Sequence, residues 1–457
     1  MKISREIFRQ YDIRGIVGRE LSPETARAIG RAYVAHLGEH QALGPVAVGR
    51  DNRPSGEALR DALVGGLTES GVDVVDIGIV PTPLLYWALH HSGVSGGIMI
   101  TGSHNPPEYN GFKMCVGTSS LHGDEIQSLY DIIERAGFRT GRGEIRREEV
   151  ISRYIEDVVS RVGQLSRPLR VVADCGNGVG ALVGPRLLER LGAQVTPLFC
   201  ESDGSFPNHH PDPTVVENLH DIIGAVREES ADVGVAFDGD ADRIGIIDEN
   251  GEIIWGDHVL IIYARDVLER TGANQPIIFD VKCSQALPDA IVAAGGTPVM
   301  WKTGHSLIKD KMKELDAPLA GEMSGHMFFA EGFYGHDDAL YGAARFLRIV
   351  ADSGKSVSEL LADVPKFVST PEIRVEVPEA RKFAIVADAV RHFSQGREVI
   401  DVDGVRVLFG DGWGLIRASN TQPVLVMRFE ARSQARLSEI RDEFETWLHA
   451  QGVAIGR

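Results

Sequence analysis

Short β-rich apolar runs alternate with helical patterns over most of this chain, and that alternation restricts the fold more than any single motif does. Residues 46–48, 72–75 and 97–100 read as strands, and residues 55–67 and 83–90 between them read as helices. Strand–helix–strand order of this kind builds βαβ units and mainly parallel sheets. The texture restarts at 169–173 and again at 277–281, each time after a charged, loop-like or helical stretch. Three related mixed α/β domains are therefore expected. From about Pro365 the pattern changes to strands at 373–375, 398–400, 405–408, 414–416 and 424–429, framed by helices near 379–393 and 434–449. That is the pattern of a smaller C-terminal α+β domain. The expected boundaries are 1–148, 149–252, 253–364 and 365–457, with no low-complexity linker between them, so close packing is expected.

Charge narrows the partners. Lys plus Arg number 47 against 65 Asp plus Glu, a formal charge of -18 that repels nucleic acid and anionic membrane surfaces alike. An anionic small substrate then needs a local cationic pocket. Cys115, Cys175, Cys200 and Cys283 lie far apart with no C-x-x-C pair, which argues against zinc and against a disulfide framework, and fits a reducing cytoplasm. The opening MKISREIFRQYDIRG has no apolar core segment, and no run reaches the ~18 apolar residues of a spanning helix, so a soluble, unprocessed protein is expected.

In α/β sheets, ligands bind beyond the carboxyl ends of strands, so the strand exits are where chemistry should lie. Residues 97–100 run into Thr101-Gly-Ser-His-Asn-Pro, and 233–237 run into Asp238-Gly-Asp-Ala-Asp-Arg. Residues 317–320 run into Gly321-Glu-Met-Ser-Gly-His, and 414–416 run into Arg417-Ala-Ser-Asn-Thr. Asp238, Asp240 and Asp242 place three carboxylates two residues apart, with small Gly239 and Ala241 letting the backbone curl. Three converging anions repel unless a cation sits among them, and hard oxygen ligands in a short set select Mg²⁺. An EF-hand is the competing reading, since Glu249 falls at loop position 12, but position 6 is Arg243 where the turn requires glycine.

Ser103 stands in a glycine-containing exit loop, exposed, with His104 beside it and Pro106 blocking helix formation. No G-x-S-x-G elbow surrounds it, so acyl-enzyme hydrolysis is not indicated. Alone, such a serine reads as a turn residue; beside a carboxylate metal site it reads as a reacting group. Arg417, Ser419, Asn420 and Thr421 join a guanidinium fork to small hydrogen-bonding side chains in a strand-to-strand loop, a competent phosphate cradle, though a polar hairpin turn has the same look. Glu322, Ser324 and His326 suit sugar hydroxyls or an ordinary turn. A G-x-G-x-x-A match at Gly176–Ala181, with Glu201 after the next strand, is a weak dinucleotide signal. Asp174 and Asn177 would crowd the pyrophosphate, so a structural strand-to-helix turn is the better reading.

Together, T-G-S-H-N-P, D-G-D-A-D-R, G-E-M-S-G-H and R-A-S-N-T occur in the order and approximate spacing of the α-D-phosphohexomutases, and the resemblance is closest to the bacterial phosphomannomutase/phosphoglucomutase branch. It spans the chain from Tyr11-Asp-Ile-Arg-Gly to the last domain. It implies four domains around a deep cleft, each contributing a loop, and reversible interconversion of mannose and glucose 1- and 6-phosphates through a phosphoserine and a hexose 1,6-bisphosphate. By resemblance, Ser103 is the phosphoryl carrier and joins Asp238, Asp240 and Asp242 around one Mg²⁺. Glu322 and Ser324 resemble the pair that reads the sugar's O3 and O4, and Arg417, Ser419, Asn420 and Thr421 the clamp on the phosphate that is not reacting. Tyr11, Arg14, Lys113, Arg243, Lys282, His305 and His326 match cleft-lining positions, with Lys113 and His326 the proton-transfer candidates. The partners implied are hexose phosphates, without nucleic acid or membrane; oligomeric state stays open, and a monomer is compatible. Phosphoglucosamine mutase is the rival within the resemblance, opposed by Thr101-Gly102 before the serine and by Met323 in the sugar loop. A non-catalytic sugar-phosphate sensor is the rival outside it.

Overall fold

The computed structural model describes residues 3–420 and 422–453. Among the described residues, four sheets follow one another in chain order. In the first, Val46–Arg50 lies between Val74–Ile79 and Gly96–Ile100, all parallel, while Tyr109–Val116 and Ile13–Ile16 add an antiparallel edge. The second sets Val233–Phe237 beside Arg170–Asp174 in parallel and then turns back through Ile244–Ile247. The third repeats that plan with Pro276–Asp280, Leu319–Gly321 and the returning Met327–Phe329. The fourth is antiparallel where its pairing is described, centred on Gly412–Ala418 and Val424–Ala431, with helices Glu379–Phe393 and Gln434–Ala450 against it. The expected strands are present with shifted ends: the run expected at 72–75 becomes Val74–Ile79, and that expected at 414–416 extends to Gly412–Ala418.

Sequence chemistry starts and stops these elements. Ser22 accepts a hydrogen bond from the Thr25 amide and Pro23 occupies the first turn of helix Pro23–His40. Asp338 caps helix Ala339–Ser353 through the Tyr341 amide at 2.8 Å and also accepts from Tyr154 Oη. Parallel strands buried on both faces read as continuous apolar runs, and Val233–Phe237 is buried at every position. One core passes without a break from Ala47 and Trp87 in the first sheet region, through Val171 and Val235, to Ile277, Phe329 and Phe346. Each fully buried side chain of that size contributes roughly 1.5–3 kcal/mol of transfer free energy, so these three regions are fused. The C-terminal region has its own core around Phe393, Phe429 and Phe444, and meets the third region through a small cluster of Val281, Trp413 and Leu415. Three parts with a shared core therefore carry a fourth part that has its own core and a smaller apolar contact with the third.

Candidate active site

The turn after Val233–Phe237 brings Asp238, Asp240 and Asp242 together, each fully buried, with one ligand oxygen apiece within 4.8 Å of the others. Ala241 takes φ 57°, which supplies the curl that the small residue permits. Oδ2 of Asp240 accepts from Thr82 Oγ1 at 2.6 Å, Thr101 Oγ1 at 3.1 Å and Lys113 Nζ at 2.9 Å. Its Oδ1, equally buried, has no hydrogen-bond partner among the described residues. Burial and the two neighbouring carboxylates push the Asp238 carboxyl well above its usual range. Three converging buried carboxylate oxygens, one of them without a hydrogen-bond partner, are the donor set that a hard divalent ion would satisfy.

Ser103 lies at φ 48° in the exit loop after Gly96–Ile100, its amide donating to Thr101 Oγ1 at 2.8 Å. Its hydroxyl donates to Asp238 Oδ2 at 3.0 Å and stands 3.1 Å from His104 Nδ1. The expectation that Ser103 is exposed is corrected: it is 4% exposed, because the loop is folded under Arg14 and against the metal turn. That change favours chemistry needing dryness. Lys113, on Tyr109–Val116, bonds both Asp240 and Asp242; burial opposes its charge, but the two carboxylates overcome it and hold the ammonium. Burial, with Arg243 and Arg14 nearby, pushes the His104 imidazole well below its usual value.

The sugar-loop candidates join the same cluster. The turn between Leu319–Gly321 and Met327–Phe329 places His326 with Nε2 3.2 Å from Asp242 Oδ1 and Nδ1 2.8 Å from Glu322 Oε2. Burial opposes the imidazolium, yet the two carboxylates raise His326 to about 9. Glu322 also accepts the Gly304 amide at 2.6 Å, and His326 with Lys282 draws it down to about 2 against its burial. Ser324 Oγ is 3.2 Å from His326 Nδ1, and Arg243 Nε is 3.3 Å from His326 Nε2. His305 is lowered to about 3 by burial and Lys309, with its Nδ1 3.5 Å from Asp337 Oδ2. A second group, Asp242, His326 and Asp337, shares Asp242 with the trio, and Lys309 pairs its Asp337 at 2.9 Å.

The far wall is assembled from three regions. Tyr11 Oη donates to the Thr303 carbonyl at 2.8 Å and accepts from Asn420 Nδ2 at 2.7 Å. Arg417 Nε bonds Asp403 at 2.9 Å, and that carboxylate also accepts the Thr303 amide. The expectation that Arg417 lies in a loop is corrected: Gly412–Ala418 continues through it, with Arg417 opposite Val426, so the strand rather than a turn fixes its direction. Ser419 Oγ accepts the Gln422 amide at 3.2 Å. Lys282 meets Glu372 at 3.3 Å and Asp280 at 3.7 Å. Thr421 lies outside the described residues. Arg14 pairs with Asp12 and Asn105 and reaches the Gly102 carbonyl at 3.3 Å.

Two competing sequence signals find structural employment elsewhere. Glu249 binds Ser358, away from the aspartates. A Cβ on Gly178 would stand 2.7 Å from the Gly239 carbonyl, so the G-x-G-x-x-A turn is sealed against the metal turn and leaves no room for a pyrophosphate. Sequence reasoning missed Asp51, Arg53, Thr82, Lys309 and Asp337. The strand-exit rule reaches the first three, since Asp51 and Arg53 follow Val46–Arg50 and Thr82 follows Val74–Ile79. Lys309 and Asp337 had no such signal.

Comparison with known proteins matches four family models in order: phosphoglucomutase/phosphomannomutase alpha/beta/alpha domains I, II and III at 5–140, 152–251 and 255–367, and its C-terminal domain at 372–446. A phosphomannomutase/phosphoglucomutase of Pseudomonas putida is 48% identical over 446 residues, covering 97% of this chain and 95% of the relative. A phosphoglucomutase of Neisseria gonorrhoeae is 46% identical over 453 residues, covering 98% of each. The crystal structure of a phosphoglucomutase/phosphomannomutase family protein from Burkholderia thailandensis superposes with TM-score 0.93 at 45% identity, covering 100% of this chain and 99% of that one.

Proposed function

Since the chain belongs to the phosphoglucomutase/phosphomannomutase family, we propose that it interconverts hexose 1-phosphates and hexose 6-phosphates of mannose and glucose, with Ser103 as the phosphoryl carrier. The observation that carries the reading is the buried Ser103 hydroxyl on Asp238, 3.0 Å away in a carboxylate trio with an unpaired oxygen. Asp238, Asp240 and Asp242, with an oxygen on Ser103, would hold one Mg²⁺, which when bound neutralises charge and polarises the phosphoryl group.

Phosphate monoesters react slowly without help, so positioning and fixed positive charge must do most of the catalysis. A free hydroxyl of a hexose 1-phosphate attacks phosphorus on Ser103. The new bond to sugar oxygen forms as the bond to Oγ breaks, and the protonated Lys113 or His326 gives a proton to Oγ while taking the hydroxyl's proton in its place. The product is hexose 1,6-bisphosphate, which turns round in the cleft. Its 1-phosphoryl group then returns to Ser103 and hexose 6-phosphate leaves, with the proton moving in the opposite sense. Arg14, Arg243, His104 and His305 line the reacting end. Glu322 and Ser324 read O3 and O4, contacts that ignore C2 and so admit both epimers. Arg417, Ser419, Asn420 and Thr421, with Tyr11 and Lys282, hold the other phosphate. The division at 1–148, 149–252, 253–364 and 365–457 assigns the serine, metal, sugar and phosphate loops to successive units. Four free cysteines support a cytoplasmic location, the oligomeric state stays open with a monomer compatible, and among the described residues no helix is long and apolar enough to cross a membrane.

A phosphorus NMR time course with mannose, glucose and glucosamine 1-phosphates, Mg²⁺ and a trace of hexose 1,6-bisphosphate tests this reading. Conversion of the first two to 6-phosphates is expected; release of free phosphate, or preference for the third, would overturn it. Ser103→Ala should abolish turnover while sugar-phosphate binding persists, and near-normal turnover would sink the phosphoserine route.

A further inference from the structure

Arg53 lies just beyond the strand Val46–Arg50 in a segment that none of the four motifs covers, and its side chain is fully buried. A guanidinium has five N–H donors, and burying a charged donor without partners is costly. Here each is engaged. Nε meets Asp51 Oδ2 at 3.1 Å; Nη1 meets the carbonyls of Pro106 at 2.5 Å and Tyr109 at 3.1 Å; Nη2 meets those of Ser103 at 2.7 Å and Asn105 at 2.5 Å. Three of these carbonyls belong to the loop that carries Ser103, and the fourth, that of Tyr109, opens the strand Tyr109–Val116 into which the loop runs. Asp51 completes the frame, accepting the Arg53 amide at 3.1 Å and the Gly102 amide at 3.0 Å. Gly102 leaves room for this arrangement, because a Cβ there would stand 2.4 Å from the guanidinium carbon.

Ser103 itself sits at φ 48°, a conformation that costs a non-glycine residue free energy and persists only when its surroundings impose it. Its own carbonyl is one of the four held by Arg53. An irregular loop has few ladder bonds of its own, and a planar five-donor fork supplies a substitute with fixed directions. We propose that Arg53, braced by Asp51, is the positioning residue of the phosphoryl-transfer loop, drawing the carbonyls of residues 103–109 inward and so holding Ser103 Oγ on Asp238. The inference rests on the reading of Ser103 as the phosphoryl carrier. Lysine keeps the charge but has three donors and no plane, so it cannot serve five acceptors in these directions.

The experiment labels the intact enzyme with hexose 1,6-bisphosphate and measures single-turnover transfer from serine to glucose 1-phosphate, beside the Kd of glucose 1-phosphate and the thermal midpoint. Arg53→Lys should slow transfer roughly 100-fold, the scale of an ångström-sized misplacement, with Kd within about twofold because the sugar-reading groups lie on other loops. If that variant does not fold, Gly102→Ala displaces the guanidinium from the other side and gives the same reading. Transfer at the wild-type rate in either folded variant overturns the proposal, as does a loss of transfer matched by an equal loss of binding. A wild-type enzyme that never acquires serine phosphate refutes the phosphoserine reading itself, a result distinct from wild-type transfer surviving Arg53→Lys.

Discussion

Three donors converge on one oxygen of Asp240 and none of the described residues reaches the other. The division is directional: Thr82, Thr101 and Lys113 saturate Oδ2 and leave Oδ1 to a cation. Outer groups that orient a ligand typically contribute 10–100-fold in metal affinity. Thr82→Val, which keeps the shape and removes the donor, should weaken Mg²⁺ binding about 10-fold by titration calorimetry; an unchanged isotherm would show that Thr101 and Lys113 suffice. The carboxylates and Ser103 were legible as residues because their types and spacing carry the chemistry. The engagement of Glu322 with His326 was not, since it arises from an antiparallel turn that points both side chains to one face.

Among the elements, tight turns at strand exits do most of the placing. Gly325 takes φ +94° in the sugar-loop turn, and a Cβ there would stand 2.4 Å from the Ile244 carbonyl, whose own amide bonds the Gly325 carbonyl at 3.0 Å. This contact stitches the His326 turn to the strand leaving the metal turn, alongside a bridge between Arg243 and His326. Gly325→Ala should therefore cost roughly 1–3 kcal/mol in urea unfolding, from backbone strain and the clash together. A loss below a few tenths would mean that the turn adapts. The β–α alternation announced the strands because buried parallel strands need continuous apolar runs. Their ends were less legible: Arg417 belongs to a strand because cross-strand pairing with Val426 extends it past the point where its apolar pattern stops.

At the scale of the molecule, three regions share a core and the fourth is attached through few apolar contacts and several polar ones. One of these is Lys282 with Glu372 at 3.3 Å. Burial opposes ionisation of Glu372, but Lys282 and Arg374 bring its carboxyl down from 4.5 to about 2. A carboxyl lowered on folding adds stability above its unfolded value and loses it as pH falls through the folded one. Glu372→Gln should thus destabilise the protein at pH 7 by roughly 1–3 kcal/mol, and the difference from wild type should shrink between pH 4.5 and about 2. A pH-independent difference in thermal midpoint would refute the ion-pair account. Taken alone, the sequence determined the α/β class, the C-terminal change of texture and the acidic, serine and arginine loops, because periodicity and local donor chemistry are properties of short segments. Tertiary structure alone decided that Ser103 is buried, that Arg53 organises its loop and that His326 lies between two carboxylates, because each depends on residues far apart in the chain meeting in a dry interior.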